Sequence, residues 1–208
     1  MTEYKEGTDP VRGLSPVSPA LIPWDALKPA PWKNGGGVTR EVAAYPAGRD
    51  TSSFTWRLSI ADIDAGGPFS SFPGIDRTLV LLGGNGMVLT QDDGTAYPLE
   101  KPLDMARFAG ETAISARLFD GPTRDLNVMV RRSHGSADVQ VLTAPADVTI
   151  QGTTVLLYCA DGDVLVTIDG ADPVRLPPGA TLPVDATAAQ RCGIAGHGHV
   201  LFITITLK

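Results

Sequence analysis

Apolar and polar residues alternate in short runs along much of the chain. Phe54, Trp56, Leu58 and Ile60 are separated by Thr55, Arg57 and Ser59. Leu126, Val128 and Val130 are separated by Asn127 and Met129, and Arg131 follows. A period of two marks a β-strand, whose successive side chains point to opposite faces. It sets Arg57 and Ser59 across the strand from Phe54, Trp56, Leu58 and Ile60. It likewise sets Asn127, Met129 and Arg131 across from Leu126, Val128 and Val130. One face of each strand is core; the other is either wet surface or the polar wall of a cavity. Helical periodicity is hard to find. The 23 glycines and 17 prolines are spread between the runs, as turns between short elements require. The pattern predicts an all-β chain.

Two stretches repeat. Thr78–Gly94, TLVLLGGNGMVLTQDDG, aligns without a gap on Thr154–Gly170, TVLLYCADGDVLVTIDG, at an offset of 76, and seven of the 17 positions are identical. Asn85-Gly86 and Asp161-Gly162 read as hairpin turns, because their residues tolerate positive φ. Asp93-Gly94 and Asp169-Gly170 read as the next turns. Pro-rich connections such as Leu176-Pro177-Pro178-Gly179 follow, and a final strand is expected over Val200–Leu207. Short strands at this spacing suit a double-sheet jelly roll, so the duplication predicts two such barrels in tandem. The expected division is a loosely held arm over 1–20, a first barrel over 21–140 and a second over 141–208, with strands open to exchange between the halves.

Composition narrows the function. The chain has 208 residues, 43% of them hydrophobic, and a net charge of -6. An acidic chain lacks the basic footprint that nucleic acid or an anionic membrane requires, so neither is an expected partner. Runs such as Leu79–Leu82 fall far short of the roughly 20 apolar residues of a membrane span. The N-terminus has no secretory pattern, and two cysteines make no disulfide framework, so a cytoplasmic protein is expected. Arginines outnumber lysines 12 to 5, and residues 1–132 hold 14 of these 17 cations. The first half is therefore where an anion is expected to be held.

Four blocks carry candidate chemistry. In Pro31–Glu41, three glycines let the backbone approach a ligand, flanked by the donors Lys33, Asn34 and Arg40. The block lacks the pattern of a phosphate-binding loop. The second block, Phe54–Ala61, supplies Trp56 and Arg57. The third, Gly67–Arg77, is a stiff loop with an apolar anchor, ending on Asp76 and Arg77, which pair as a simple salt bridge in the bland reading. The fourth, Phe119–Arg132, supplies Asn127 and Arg131. The pocket expectation is that Arg side chains at strand ends hold a small carboxylate, with Asp76 or Asp125 neutralising one of them. The alternative is that these arginines bridge the two barrels. No metal or other cofactor is expected: the strand over Thr78–Thr90 has no histidine, and His197-Gly198-His199 has no carboxylate after it. Cys159 is expected to be buried, and no nucleophile elbow is present.

Together, PWKNGGGVTRE (31–41), WRLSIADI (56–63), GPFSSFPGIDR (67–77) and DGPTRDLNVMVRR (120–132) resemble the HutD/Ves family. The resemblance spans residues 21–132; beyond that it is one of general layout. It implies a bicupin, two fused cupin barrels, and an association with bacterial histidine utilisation. It lends no catalytic residue. Gly83-Gly84 stands where that family tends to carry an acidic residue. Three functions follow as expectations. The first is a non-catalytic binder of a small carboxylate, formylglutamate- or urocanate-like, that regulates histidine breakdown, with a homodimer as its expected assembly. The second is a metal-free isomerase or hydrolase acting on a small acidic metabolite. The third is an interaction module.

Overall fold

Three sheets and one short 3-10 turn, Trp24–Ala26, make up the computed structural model, which describes residues 20–48 and 53–208. Residues 1–19 of the expected arm lie outside the described residues. The first six-stranded sheet is built from β1 (Pro29–Pro31), β2 (Gly37–Tyr45), β3 (Trp56–Ile63), β5 (Ile75–Gly84), β8 (Met105–Ala109) and β10 (Thr123–Arg131), in the order β1-β2-β3-β10-β5-β8. A four-stranded sheet faces it, from β4 (Gly67–Pro68), β6 (Met87–Gln91), β7 (Ala96–Leu99) and β9 (Ile114–Leu118). The second half forms one sheet of β11 (Gly135–Ile150), β12 (Thr154–Ile168), β13 (Val174–Leu176), β14 (Thr181–Asp185) and β15 (Gln190–Leu207). All pairings between strands are antiparallel.

The apolar faces stack in three layers. Leu79, Leu81, Met87, Leu89, Leu99 and Ile114 join the two sheets of the first barrel. Val155, Leu157, Val164, Leu182, Val200 and Phe202 fill the second. Between the barrels, Trp56, Leu58, Ile60, Leu126 and Val128 pack on Leu156, Tyr158, Leu201 and Ile203. Complete burial of each large side chain contributes about 1.5–3 kcal/mol, which makes the seam between barrels a core in its own right. The segment before β1 also crosses this seam: Ile22 exchanges two backbone hydrogen bonds with Thr181, at 2.8 and 2.9 Å.

The 76-residue repeat corresponds to equivalent strands. β5 pairs β8 and β10, then β6 pairs β7 and β9. In the second half the single strand β12 does both jobs, its first part pairing β14 and its last part β13, with β15 alongside throughout. Two sequence expectations are corrected here. Asn85-Gly86 and Asp161-Gly162 are not hairpin turns: β5 and β6 do not pair, and Asp161-Gly162 lies inside β12. They are the points where one run of chain passes from one wall of a barrel to the other. Gly86 and Gly162 have φ of 92° and 88°, and a Cβ on them would lie 2.4 Å from the Leu99 carbonyl oxygen and 2.1 Å from that of His197. A positive-φ glycine thus serves close strand crossing as readily as a turn. The last strand also begins ten residues earlier than expected, at Gln190 rather than Val200. Asp93-Gly94 and Asp169-Gly170 are turns, with Gly94 at φ 88° and Gly170 at 74°.

Phe54 is a third correction. It precedes β3 instead of extending it, and packs with Ile75, Met129 and Phe72 rather than on the Trp56 face. Cys159 and Cys192 are free and buried, and burial pushes both thiols up to about 11. Among the described residues no helix is long and apolar enough to cross a membrane.

Candidate functional site in the first barrel

The residues on the inner face of the six-stranded sheet do not close the first barrel completely. They line a cavity of ≈ 560 Å³, within the range typical of small-molecule sites. Strand alternation decides who lines it. β3 contributes Arg57, Ser59, Ala61 and Ile63, while β10 contributes Asp125, Asn127 and Met129. β5 contributes Arg77, and the loop after β4 adds Phe69, Ser70 and Phe72. Trp32, Lys33 and Asn34 come from the glycine-rich segment between β1 and β2. That segment needs its glycines for two reasons. Gly35 sits at φ 71°, and a Cβ on Gly37 would lie 2.4 Å from the Asp62 carbonyl oxygen. The Trp32 indole N–H donates to Thr39 Oγ1 at 2.7 Å, which fixes the ring against the cavity wall.

The floor is polar and buried. Ser59, Arg77, Asp125 and Asn127 are all buried, with Asp125 only 1% exposed. Arg77 Nε and Nη2 both donate to Asn127 Oδ1 at 3.2 Å, and Nη1 donates to the Ser70 carbonyl at 3.4 Å. Its guanidinium lies 5.0 to 5.5 Å from the ring centres of Phe108, Phe69 and Phe72, a cationic group resting among aromatic faces. Asn127 Nδ2 in turn donates to Asp125 Oδ1 over a long 3.5 Å, and Asp125 Oδ2 has no hydrogen-bond partner. Burial pulls Arg77 down to about 10, with Asp125 opposing that fall and Arg57 adding to it. Burial also pushes the Asp125 carboxyl up to about 7, against the pull of Arg77 and the Asn127 hydrogen bond. Nearer the mouth, Arg57 Nε donates to Glu41 Oε2 at 2.8 Å.

Of the nine residues expected from sequence, Lys33, Asn34, Arg57, Arg77 and Asn127 line the cavity. The other four lie away from it. Trp56 is the neighbour of Arg57 on β3 and so faces the seam between barrels. Arg40 is the neighbour of Thr39 and turns outward, where it and Arg124 share Asp62 and stack on Trp24. Burial raises the Asp62 carboxyl, but hydrogen bonds from Arg124 and Arg40 outweigh it and hold the group below its usual range. Asp76 pairs with Arg132, not with Arg77, at 2.8 Å on the outside. Arg131 shares the Asn127 face but lies past the end of the cavity, its Nε donating to the Phe54 carbonyl at 3.3 Å. Ser59 and Asp125 also line the floor; period two sets Ser59 on the Arg57 face, and Asp125, weighed with Asp76 as the neutraliser of an Arg, is the one of the two that lies inside. The arginines of the cavity do not bridge the barrels; Arg107 does, through the Val139 carbonyl at 3.0 Å and Asp138 at 3.5 Å.

Among the described residues, no group of three or more His, Cys, Asp or Glu is placed to hold a metal ion. His199 Nδ1 lies 2.9 Å from Asp161 Oδ2 on the exterior of the second barrel.

Comparison with known proteins places this geometry among relatives. The family model described as HutD matches residues 25–202. An uncharacterised 21.2 kDa protein in the hutC 3' region of Pseudomonas putida is 38% identical over 146 residues, which is 70% of this chain and 76% of the relative. Protein Ves of Citrobacter koseri is 38% identical over 141 residues, 67% of this chain and 68% of its own. The structure of HutD from Pseudomonas fluorescens SBW25, described as a formate condition, aligns with a TM-score of 0.80 at 33% identity, over 91% of this chain and 98% of that one. The oxalate decarboxylase of Lactobacillus farciminis, at a TM-score of 0.59 and 10% identity, shares the fold alone.

Proposed function

The chain belongs to the HutD family, and from that premise we propose that the first-barrel cavity is a receptor for a small carboxylate metabolite, formylglutamate- or urocanate-like, through which histidine utilisation is regulated. The observation that carries this reading is Arg77. It is a buried cation whose hydrogen bonds go to one side-chain amide oxygen and one backbone carbonyl. Among the described residues it forms no salt bridge. A buried guanidinium without a carboxylate in contact is costly, and a ligand carboxylate relieves that cost. Arg57, ion-paired to Glu41, and Lys33 also line the cavity. Trp32, Phe69 and Phe72 give the walls an apolar character suited to a short carbon skeleton or a planar ring. The HutD structure obtained in a formate condition and the relative in the hutC 3' region support the ligand class and the pathway.

Regulation by binding fits the floor better than catalysis does. No histidine lines the cavity, and its acid, Asp125, has no base beside it of the kind an acid–base pair needs. Calorimetry with formylglutamate, urocanate and formate tests the reading. Binding is expected, and Arg77→Met and Arg57→Met are each expected to weaken it by tenfold or more, since a charge-assisted hydrogen bond contributes about 1.5–3 kcal/mol. Folded variants that keep full affinity would place the site elsewhere. Turnover of these compounds by the purified protein would replace the receptor by an enzyme.

A further inference from the structure

Asp125 is the feature of the cavity that a carboxylate receptor does not obviously want. It sits on β10 in the floor, 1% exposed. An ionised carboxylate buried in protein normally accepts several hydrogen bonds. Asp125 receives one long bond from Asn127, and its Oδ2 receives none. Arg77, on the neighbouring β5, directs its hydrogen bonds to Asn127 and Ser70 instead. A second anion placed beside an ionised, buried Asp125 would be repelled. The neutral acid has the opposite character: one carboxyl oxygen carries a proton and becomes a donor, on a residue that lines the cavity.

We propose that Asp125 is the proton-linked ligand contact of this receptor: it binds the metabolite as a neutral acid, donating a hydrogen bond from Oδ2 to the ligand carboxylate, so that binding draws a proton from solvent whenever the free protein has Asp125 ionised. The inference rests on the carboxylate-receptor reading above and adds to it a pH-dependent affinity. The charged groups around Asp125 are few. Arg77 faces it from β5, and Arg57 lines the same cavity from β3. Asp62, on the outer side of β3, acts on it through its charge, and Lys33 stands at the glycine-rich segment. The carboxyl is already displaced to about 7 by burial, so in the free protein it changes state near neutrality. Arg77 titrates well above that range.

The expected profile follows directly. Below neutrality Asp125 is protonated and affinity is flat. Above it, affinity falls about tenfold per pH unit, because each binding event must first return a proton. Between pH 6 and 8.5 the dissociation constant for sodium formate or formylglutamate is expected to rise by about thirtyfold for a group titrating near 7. Calorimetry at pH 8.5 in two buffers of different ionisation enthalpy is expected to count close to one proton taken up per ligand. Asp125→Asn presents an N–H donor that does not titrate, so its dissociation constant should change less than threefold over the same range and its proton count should be near zero. A wild-type affinity that is flat with pH, that improves with pH, or that is accompanied by proton release overturns the inference while leaving the receptor standing. So does an Asp125→Asn protein that keeps the wild-type pH profile. If that variant does not fold, the wild-type proton count alone decides. Absence of binding by either probe at every pH brings down the receptor and this inference together.

Discussion

Leu81 of the first barrel and Leu157 of the second stand 76 positions apart in the repeat and pack on the inside of their own barrels. Across the ladder, Leu81 pairs with Asp125, while Leu157 pairs with Phe202. At the same place in the same strand plan, one barrel has a carboxyl and the other a phenyl ring. The difference runs along the whole wall. β10 shows Asp125, Asn127 and Met129 to its interior; β15 shows Val200 and Phe202, with Leu182 and Val184 of β14 opposite. The core cluster of the second barrel is apolar throughout, and its packing stabilises that half. The first keeps a cavity and buries polar groups around it at a cost in desolvation. The two halves share the layer between them, with Trp56, Leu58 and Leu126 on one side and Leu156 and Leu201 on the other. The two halves share one strand plan but differ in what they bury, a cavity with a polar floor in one and an apolar core in the other.

The largest effect expected from breaking this division is in the second barrel. Phe202→Asp would put the first barrel's carboxyl among Val155, Leu157 and Val200, where no arginine or amide waits for it. The expected loss exceeds about 4 kcal/mol, from the lost aromatic burial and an unpaired buried acid together. The reciprocal Asp125→Leu is expected to be neutral or stabilising, since an apolar group replaces a buried carboxyl that accepts only one long hydrogen bond. Urea unfolding of the two variants measures both. Equal losses in the two barrels would show that the polar floor is structural and the contrast is superficial.

Much of this was legible before any coordinates. The gapless match of Thr78–Gly94 to Thr154–Gly170 gave the duplication, and period two gave the correct opposition of Arg57 to Trp56 and of Asn127 to Val128. The crossings at Asn85-Gly86 and Asp161-Gly162 were misread because a positive-φ glycine beside Asn or Asp is equally at home in a tight turn. Only long-range pairing tells the two apart. The outward turn of Arg40, Trp56 and Asp76 was contained in the pattern, since each sits next to a residue that points inward. Which face of β3 and β10 meets the other barrel was not contained in it. Both faces of these strands are covered, so one apolar face cannot be labelled as a barrel's own core or as a seam.

A smaller effect separates two acids of the first barrel's sheet, the buried Asp125 and the half-buried Asp62. Asp125 has a carboxyl raised to about 7 by burial, so the folded state holds a proton that the unfolded chain releases near pH 4. Between those values the folded state binds more protons, and stability must fall as pH rises. The steepest contribution of one such proton is about 1.4 kcal/mol per pH unit. Asp62 has the reverse sign: Arg124 and Arg40 hold it below its usual range, so its contribution is present at neutral pH and is lost on acidification. Wild type and Asp125→Asn, unfolded in urea at pH 4.5, 5.5, 6.5 and 7.5, should diverge steadily, the variant gaining on the wild type as pH rises. Parallel curves would mean that Asp125 is neutral or ionised alike in both states, and the polar floor would then have no part in the pH response.

The smallest effect concerns Asp76, which differs from its neighbour Arg77 in the face of β5 it occupies. Arg77 is buried in the cavity, whereas Asp76 reaches the exterior and pairs with Arg132, which also binds Glu111 at 2.9 Å. The hydrogen bonds from Arg132 pull the Glu111 carboxyl down to about 2, but both groups stand in water, where ions and solvent screen the pair. Asp76→Asn keeps the size of the side chain and removes its charge. Arg132 retains Glu111 as a partner. The thermal midpoint is therefore expected to stay within the scatter of replicate scans, and formate affinity should stay within the scatter of replicate titrations. The same substitution would weaken binding severalfold if the carboxylate of Asp76 set the charge balance that Arg77 presents to a ligand. Since only one peptide unit separates the two side chains, the result reads how sharply a single strand divides the cavity from the surface.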